Sequence, residues 1–113
     1  MSMSQKEYID FLKSLPACDG APERIAAMQE PIHWCLGIAG EAGEVIDLIK
    51  KTAAYGRPLD TEKLRLELGD LFNYFVRLCE FYNLSLNDVR QANADKLKAR
   101  WPDNKVGDYD NNG

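Results

Sequence analysis

Apolar residues recur at helical spacing along most of the chain, and this pattern predicts four long helices separated by short breaks. Period-two alternation is absent and β-branched residues are sparse, so no strand is predicted. We expect the long helices to run from about 4 to 15, 31 to 54, 61 to 82 and 86 to 100. A short turn or helix is predicted between residues 23 and 28.

Local signals for helix ends support these boundaries. Residues 55–58, Tyr-Gly-Arg-Pro, place a glycine suited to a left-handed helix end shortly before a proline. Asp60 or Thr61 can cap the third long helix. Ser85 and Asp88 have the spacing of a capping box for the fourth.

The linker between the second and third long helices is short, which predicts that they pack as an antiparallel pair. One such pair supplies half of a four-helix bundle. We therefore expect an all-α fold, an antiparallel helical hairpin with flanking helices, whose four-helix-bundle core is completed by dimerisation. A homodimer and a tetramer of two dimers both fit this expectation. Residues 1–113 should form one domain, with a core of about 30–102 and a mobile tail at 103–113.

Composition and charge narrow the class of protein. The 113 residues are 45% hydrophobic and 28% charged, as in soluble globular domains. A net charge of −4 argues against a general nucleic-acid or anionic-membrane binder. The sequence contains neither a membrane-spanning apolar run nor the order of a signal peptide. Its three cysteines, with no C-x-x-C pair, are predicted to be buried thiols in a cytoplasmic protein.

Two pairs of acidic residues are the candidate chemical site. Glu41 and Glu44 lie three residues apart, as do Glu67 and Asp70, so each pair projects from one face of its helix. Both faces adjoin an apolar stripe, and the two pairs differ in height by only about 5 Å when counted from the turn. Four such carboxylates would raise one another's pKa or require a cation. Ligands that are all oxygen favour Mg²⁺, with Mn²⁺ as a possible substitute.

Other interpretations of these residues stay open. The acids could be solvated surface groups. Gly37, Gly40 and Gly43 lie along one side of the second long helix, where they could serve helix packing, including packing across a dimer, or make room for a metal-bound phosphate. A di-iron carboxylate site is disfavoured, because His33 is the only histidine and follows no acid by three residues.

Several segments together resemble the MazG-like nucleotide pyrophosphohydrolases, members of the all-α NTP pyrophosphatase superfamily. These segments are GEAGEV at 40–45, KK at 50–51, ELGD at 67–70 and NADKLKARWP at 93–102. The paired acidic motifs combined with the N-x-x-K-x-x-x-R-x-P ending are more specific than either part alone. Trp101 stands where the family often has tyrosine before the final proline.

The resemblance implies an enzyme, a hydrolase acting on acid anhydrides. It would cleave the α–β phosphate bond of a nucleoside triphosphate with Mg²⁺ and release a nucleoside monophosphate and pyrophosphate, in a nucleotide-pool house-cleaning role. Carried onto matching positions, the metal-binding and catalytic residues would be Glu41, Glu44, Glu67 and Asp70. The residues that contact phosphate or complete the site would be Lys51, Asn93, Lys96 and Arg100.

Base recognition depends on less specific signals. Tyr74, Trp34 and His33 could form an aromatic wall for a nucleobase, although aromatic residues at helical spacing also serve packing. The substrate could be a standard dNTP such as dCTP or dUTP, or a modified triphosphate. The alternative function is a non-catalytic helical interaction or regulatory module, which would show no metal-dependent turnover.

Overall fold

The computed structural model describes residues 2–103, and the described residues form helices and no strand. The helices are α1 (Gln5–Ser14), α2 (Ala21–Ala27), α3 (Gln29–Tyr55), α4 (Thr61–Phe81) and α5 (Leu86–Arg100). The all-α prediction is therefore confirmed. The tail predicted to be mobile lies outside the described residues except for residue 103. Within residues 2–103, no helix is both long and apolar enough to cross a membrane.

Side-chain caps fix where three of the helices begin. At α1, the Ser4 hydroxyl accepts a hydrogen bond from the Glu7 backbone N–H at 3.1 Å, and the Glu7 carboxylate accepts one from the Ser4 N–H. The Asp60 carboxylate caps α4 and the Ser85 hydroxyl caps α5, each accepting from the third helical N–H. These bonds satisfy N–H groups that a helix start otherwise leaves unpaired.

The second long helix begins earlier than its sequence pattern predicts. We expected a start near Pro31, but α3 begins at Gln29, and Met28 alone separates it from α2. Pro31 still lies in the first turn of α3, where its missing N–H costs no intrahelical hydrogen bond. The proline is therefore compatible with an earlier helix start.

The α3–α4 hairpin is the structural centre of the chain, because these helices are the only two in residues 2–103 with extensive mutual contact. Gly56 ends α3 in the left-handed conformation, with φ of 68°, and the chain reverses direction before α4. Pro31, Leu48 and Cys79 are the only buried residues in the described part of the chain. The predicted antiparallel pair is present, but few side chains are buried between its two helices.

A single copy of the chain leaves a large apolar surface uncovered. It exposes 9408 Å², whereas a compact monomer of its mass would expose about 6300 Å². Its radius of gyration is 20.8 Å, against about 13 Å for a compact chain of this length. Completion of a four-helix bundle by a second copy stays a prediction.

The prediction of three buried thiols is wrong for two of them. Cys79 is buried, but Cys18 and Cys35 are exposed. Cys18 lies in the loop between α1 and α2, and Cys35 lies on a side of α3 that the hairpin leaves open. Residue type alone favours burial, whereas burial in this chain requires a neighbouring helix.

Gly56→Ala should lower the free energy of unfolding by about 1 kcal/mol, because a side chain is strained at this left-handed φ angle. Gly69→Ala is the matched control: Gly69 is helical, and an added Cβ meets no atom within 4 Å. That change should raise the free energy of unfolding by up to about 1 kcal/mol. Thermal unfolding followed by circular dichroism measures both, and shifts of the same sign would contradict this account of the turn.

Candidate metal centre and nucleotide site

The antiparallel register of α3 and α4 places the predicted site residues of the two helices opposite one another, in successive helical turns. One turn back along α3 from the acids, Gly37 faces Tyr74: a Cβ built on the glycine would lie 2.5 Å from the tyrosine ring. One further turn along, the Arg77 guanidinium lies 4.9 Å from the Trp34 ring centroid. Because both contacts follow one register, the E-x-x-E and E-x-x-D motifs meet across the hairpin.

Three of the four predicted metal ligands form a carboxylate group. Glu41, Glu67 and Asp70 each offer an oxygen that lies within 4.8 Å of the other two. Glu41 and Glu67 are half-buried, and Asp70 is exposed. The Oε2 atom of Glu41 is inaccessible to solvent and has no hydrogen-bond partner. A buried carboxylate oxygen without a partner is unfavourable unless a proton or a cation satisfies it.

Glu44, the fourth predicted ligand, lies outside this group. It is exposed and sits one turn along α3 from Glu41. Its charge still contributes to the repulsion acting on Glu41. Its role as a metal ligand stays a prediction.

The pKa of Glu41 is raised to about 7 by its surroundings. The largest cause is the neighbouring Glu67 carboxylate, with which Glu41 can share a hydrogen bond only when one of the two carries a proton. Desolvation follows, and then repulsion from Glu67, Asp70 and Glu44. A cation could replace the shared proton, and the all-oxygen donor set fits a hard divalent ion such as Mg²⁺ or Mn²⁺.

Lys51, predicted to bind phosphate, is held by an acid that the sequence analysis did not single out. Its ammonium lies 2.9 Å from Asp47 Oδ2, and the Lys50 ammonium lies 3.6 Å from Asp47 Oδ1. The hydrogen bond from Lys51 is the main reason that the pKa of Asp47 is below its usual value. The i, i+4 spacing of Asp47 and Lys51 was the available sequence signal. A phosphate would therefore compete with Asp47 for this ammonium group.

The predicted phosphate contacts on α5 stay predictions, because few contacts fix this helix relative to the α3–α4 hairpin. Contacts between α5 and the other helices are sparse, and the start of α5 packs near Phe75, where Val89 lines a cleft of about 360 Å³. The Asn93 and Lys96 side chains are exposed and form no hydrogen bond or ion pair within residues 2–103. Arg100 is half-buried, with its guanidinium 5.6 Å from the ring of the following tryptophan.

The three aromatic residues predicted for base binding do lie together. The His33 and Trp34 rings are stacked, with centroids 4.7 Å apart. The Tyr74 ring lies 6.3 Å from His33 and 6.2 Å from Trp34. The close approach of Tyr74 to α3 requires a glycine at position 37. Helix packing therefore explains at least this one of the three glycines in α3.

Arg77 orders one side of the aromatic group, a role that the sequence analysis did not assign. Its guanidinium covers Trp34, and its Nε donates a 3.0 Å hydrogen bond to Asn73 Oδ1. The i, i+4 spacing of Asn73 and Arg77 was the only local signal. Beside them is a cleft of about 370 Å³, lined by Glu30, Trp34, Val76, Arg77, Glu80 and Phe81.

A known protein family matches the part of the chain that contains the candidate site. The family model described as the MazG nucleotide pyrophosphohydrolase domain matches residues 29–104. The Gene 37 protein of Mycobacterium phage L5 is 33% identical over 69 residues, which are 58% of this chain and 60% of that relative. The chain thus spans less than two thirds of that relative's length. No solved structure matches the chain at a significant level.

The metal-free protein should lose stability as the pH rises from about 5 to about 8. The pKa of Glu41 is raised from 4.5 to about 7, so between these values the folded chain binds more protons than the unfolded chain. The free energy of unfolding therefore falls with increasing pH. Melting temperatures in EDTA, for the wild type and Glu41→Gln, measure this effect. Equal pH slopes for the two proteins would contradict it.

Gly37→Ala should destabilise the hairpin by about 1 to 3 kcal/mol, because the added methyl group overlaps the Tyr74 ring and forces it to move. Gly40→Ala is the matched control, since its Cβ meets nothing within 4 Å. Thermal unfolding and near-ultraviolet circular dichroism report stability and ring packing. Identical melting temperatures and near-ultraviolet spectra for the two variants would contradict the contact.

Proposed function

Because the chain belongs to the MazG nucleotide pyrophosphohydrolase domain family, we propose that it hydrolyses the α–β phosphate bond of nucleoside triphosphates in a Mg²⁺-dependent reaction. The products are a nucleoside monophosphate and pyrophosphate. The observation that carries this proposal is the group of Glu41, Glu67 and Asp70, in which a buried Glu41 oxygen has no partner. A cation bound among the three carboxylates would relieve their repulsion and satisfy the unpartnered oxygen.

Glu41, Glu67 and Asp70 would hold the metal ion, with Glu44 adjoining them. Bound Mg²⁺ would polarise phosphoryl oxygens, lower the pKa of a bound water and offset the charge that develops on the leaving group. Mn²⁺ has similar ligand preferences and is the proposed substitute.

The acid outside the three-carboxylate group is suited to act on the attacking water. Glu44 is exposed one turn from Glu41, where it can accept a hydrogen bond and then a proton. The water oxygen forms a bond to the α-phosphorus, and the bond from the α-phosphorus to the bridging oxygen breaks. Pyrophosphate carries away the electron pair of that bond, and the water's proton passes to Glu44.

Cationic side chains would bind the phosphates. Lys51 lies along α3 beyond Glu44 and would exchange its Asp47 partner for a phosphate oxygen. Asn93, Lys96 and Arg100 would complete the phosphate contacts, and a movement of α5 would let them close over the bound phosphate. Because α5 makes few contacts with the other helices, such a movement costs little free energy.

The aromatic group would receive the nucleobase. Tyr74 lies one turn from Asp70, about 6 Å along α4, so a base stacked there has its phosphates directed towards the carboxylates. Stacking tolerates any base, because every base has a π-face. Polar groups at the adjoining cleft, among them Arg77 and Glu80, would then determine which bases are preferred. A preference for modified bases would correspond to house-cleaning of the nucleotide pool.

Pyrophosphate release from a panel of standard and modified NTPs and dNTPs tests the reaction. With Mg²⁺ or Mn²⁺ we expect equal amounts of nucleoside monophosphate and pyrophosphate, and with EDTA neither product. The ranking of the panel identifies the substrate class. No turnover of any nucleotide by the folded protein with either metal would favour a non-catalytic interaction module.

Glu41→Gln and Asp70→Asn should each lower kcat by more than about 100-fold, because even an outer partner of a metal ligand contributes about 10- to 100-fold. Glu62→Gln is the control, an exposed acid of α4 that pairs with Arg65. Calorimetric titration with Mn²⁺ should show weaker binding in the two site variants alone, with helical content unchanged. Full activity in either site variant would overturn the assignment of the metal centre.

A further inference from the structure

The cleft beside the aromatic group combines aromatic walls with charged groups that have not paired with one another. Trp34 lines it from α3 and Phe81 from α4, and its volume is about 370 Å³. Its charged lining residues are Arg77, Glu30 and Glu80. Within residues 2–103, neither of these carboxylates forms an ion pair with the guanidinium. All three charged groups are therefore available to a ligand that enters the cleft.

Two contacts orient the guanidinium of Arg77. Its Cζ atom lies 4.9 Å from the centroid of the Trp34 ring, and its Nε donates a 3.0 Å hydrogen bond to Asn73 Oδ1. That bond uses one of the five N–H donors of an arginine. The donors on the two terminal nitrogens, Nη1 and Nη2, form no hydrogen bond to the described part of the chain. A planar group held in this way can bind two adjacent acceptors at once, which a lysine cannot do.

The position of the cleft along α4 is comparable with the span of a nucleotide from its α-phosphate to its base. Arg77 follows Asp70 by seven residues, so it lies on the same side of the helix and about 10 Å further along. A nucleotide with its phosphates at Asp70 and its base beyond Tyr74 has the edge of that base at Arg77. This step rests on the proposed function, because it takes the carboxylate group as the place where the phosphates bind.

We propose that the cleft selects guanine nucleotides and that Arg77 is the residue that determines this specificity. Guanine presents two adjacent acceptors, O6 and N7, which match the two terminal nitrogens of an arginine. Its N1–H and 2-amino groups are donors on the neighbouring edge, and the carboxylates of Glu30 and Glu80 are acceptors. Adenine carries an amino group in place of O6, so the guanidinium of Arg77 meets a donor there.

The pyrimidine bases match the polar groups of the cleft less well. Uracil and thymine carry an N–H between their two carbonyl groups, so an arginine meets a donor beside each acceptor. Cytosine has two adjacent acceptors, N3 and O2, but its one amino group leaves either Glu30 or Glu80 without a donor. Guanine supplies donors for both carboxylates and adjacent acceptors for Arg77.

Steady-state kinetics with dGTP, dATP, dCTP and 7-deaza-dGTP test the assignment of Arg77. In 7-deaza-dGTP a C–H group replaces N7, which removes one of the two acceptors. The wild type should have a kcat/KM at least about 10-fold higher for dGTP than for any of the other three. Arg77→Met keeps an unbranched side chain against Trp34 but has no donor, so it should reduce the ratios of dGTP to dATP and to 7-deaza-dGTP below about 2.

Two further variants separate base recognition from charge and from packing. Arg77→Lys keeps the positive charge without the planar pair of donors, so it should also lose most of the discrimination against 7-deaza-dGTP. Arg65→Met is the matched control, because Arg65 is an exposed arginine of α4 that pairs with Glu62. This control should keep the wild-type ratios.

Calorimetric titration with the non-hydrolysable α,β-imido forms of dGTP and dATP, in Mg²⁺, separates base selection from hydrolysis. Selective binding of the dGTP analogue without turnover of any nucleotide would support the guanine site and contradict the proposed hydrolysis. Equal turnover of dGTP and dATP would support the hydrolysis and overturn the guanine site, as would a preference for dCTP. Discrimination against 7-deaza-dGTP that survives in Arg77→Met would overturn the role of Arg77. Failure of both analogues to bind the folded wild type would overturn both proposals.

Discussion

Repulsion between carboxylates at the α3–α4 contact is the constraint on which the rest of this structure depends. Glu41, Glu67 and Asp70 are held together by the same two helices that they push apart. The opposing attraction comes from a narrow apolar seam whose buried members include Leu48 and Cys79. A cation that neutralised the acids would therefore also stabilise the hairpin.

The two sides of the hairpin differ in polarity. Its polar side carries the acids, the lysine pair around Asp47, and Arg77 stacked on Trp34. Its other side carries exposed apolar side chains, among them Ile46 and Phe72. Because the two sides project from the same pair of helices, a change in the distance between α3 and α4 alters the packing on both sides.

Features that depend on neighbouring residues in the chain could be predicted from the sequence, and features that depend on distant ones could not. Ser85 and Asp60 cap helices through bonds that span three residues, so these starts were recognisable. The meeting of the acidic motifs followed from a short turn and helical spacing. The requirement for Gly37 beside Tyr74 appears only once two helices are packed. The position of α5 did not follow from the sequence, because few contacts fix it.

The turn between the helices determines where this chain can change in length. One residue inserted in α3 between Gly37 and Glu41 would rotate the two positions relative to each other by about 100° and shift them by about 1.5 Å. The aromatic layer and the acidic layer could then no longer both face α4. Arg57 and Pro58 lie exposed between Gly56, which ends α3, and Asp60, which caps α4. Extra residues there lengthen only the connection, at little entropic cost. Insertions and deletions among related chains should therefore accumulate at this turn and be absent from the helical stretch between Trp34 and Glu44.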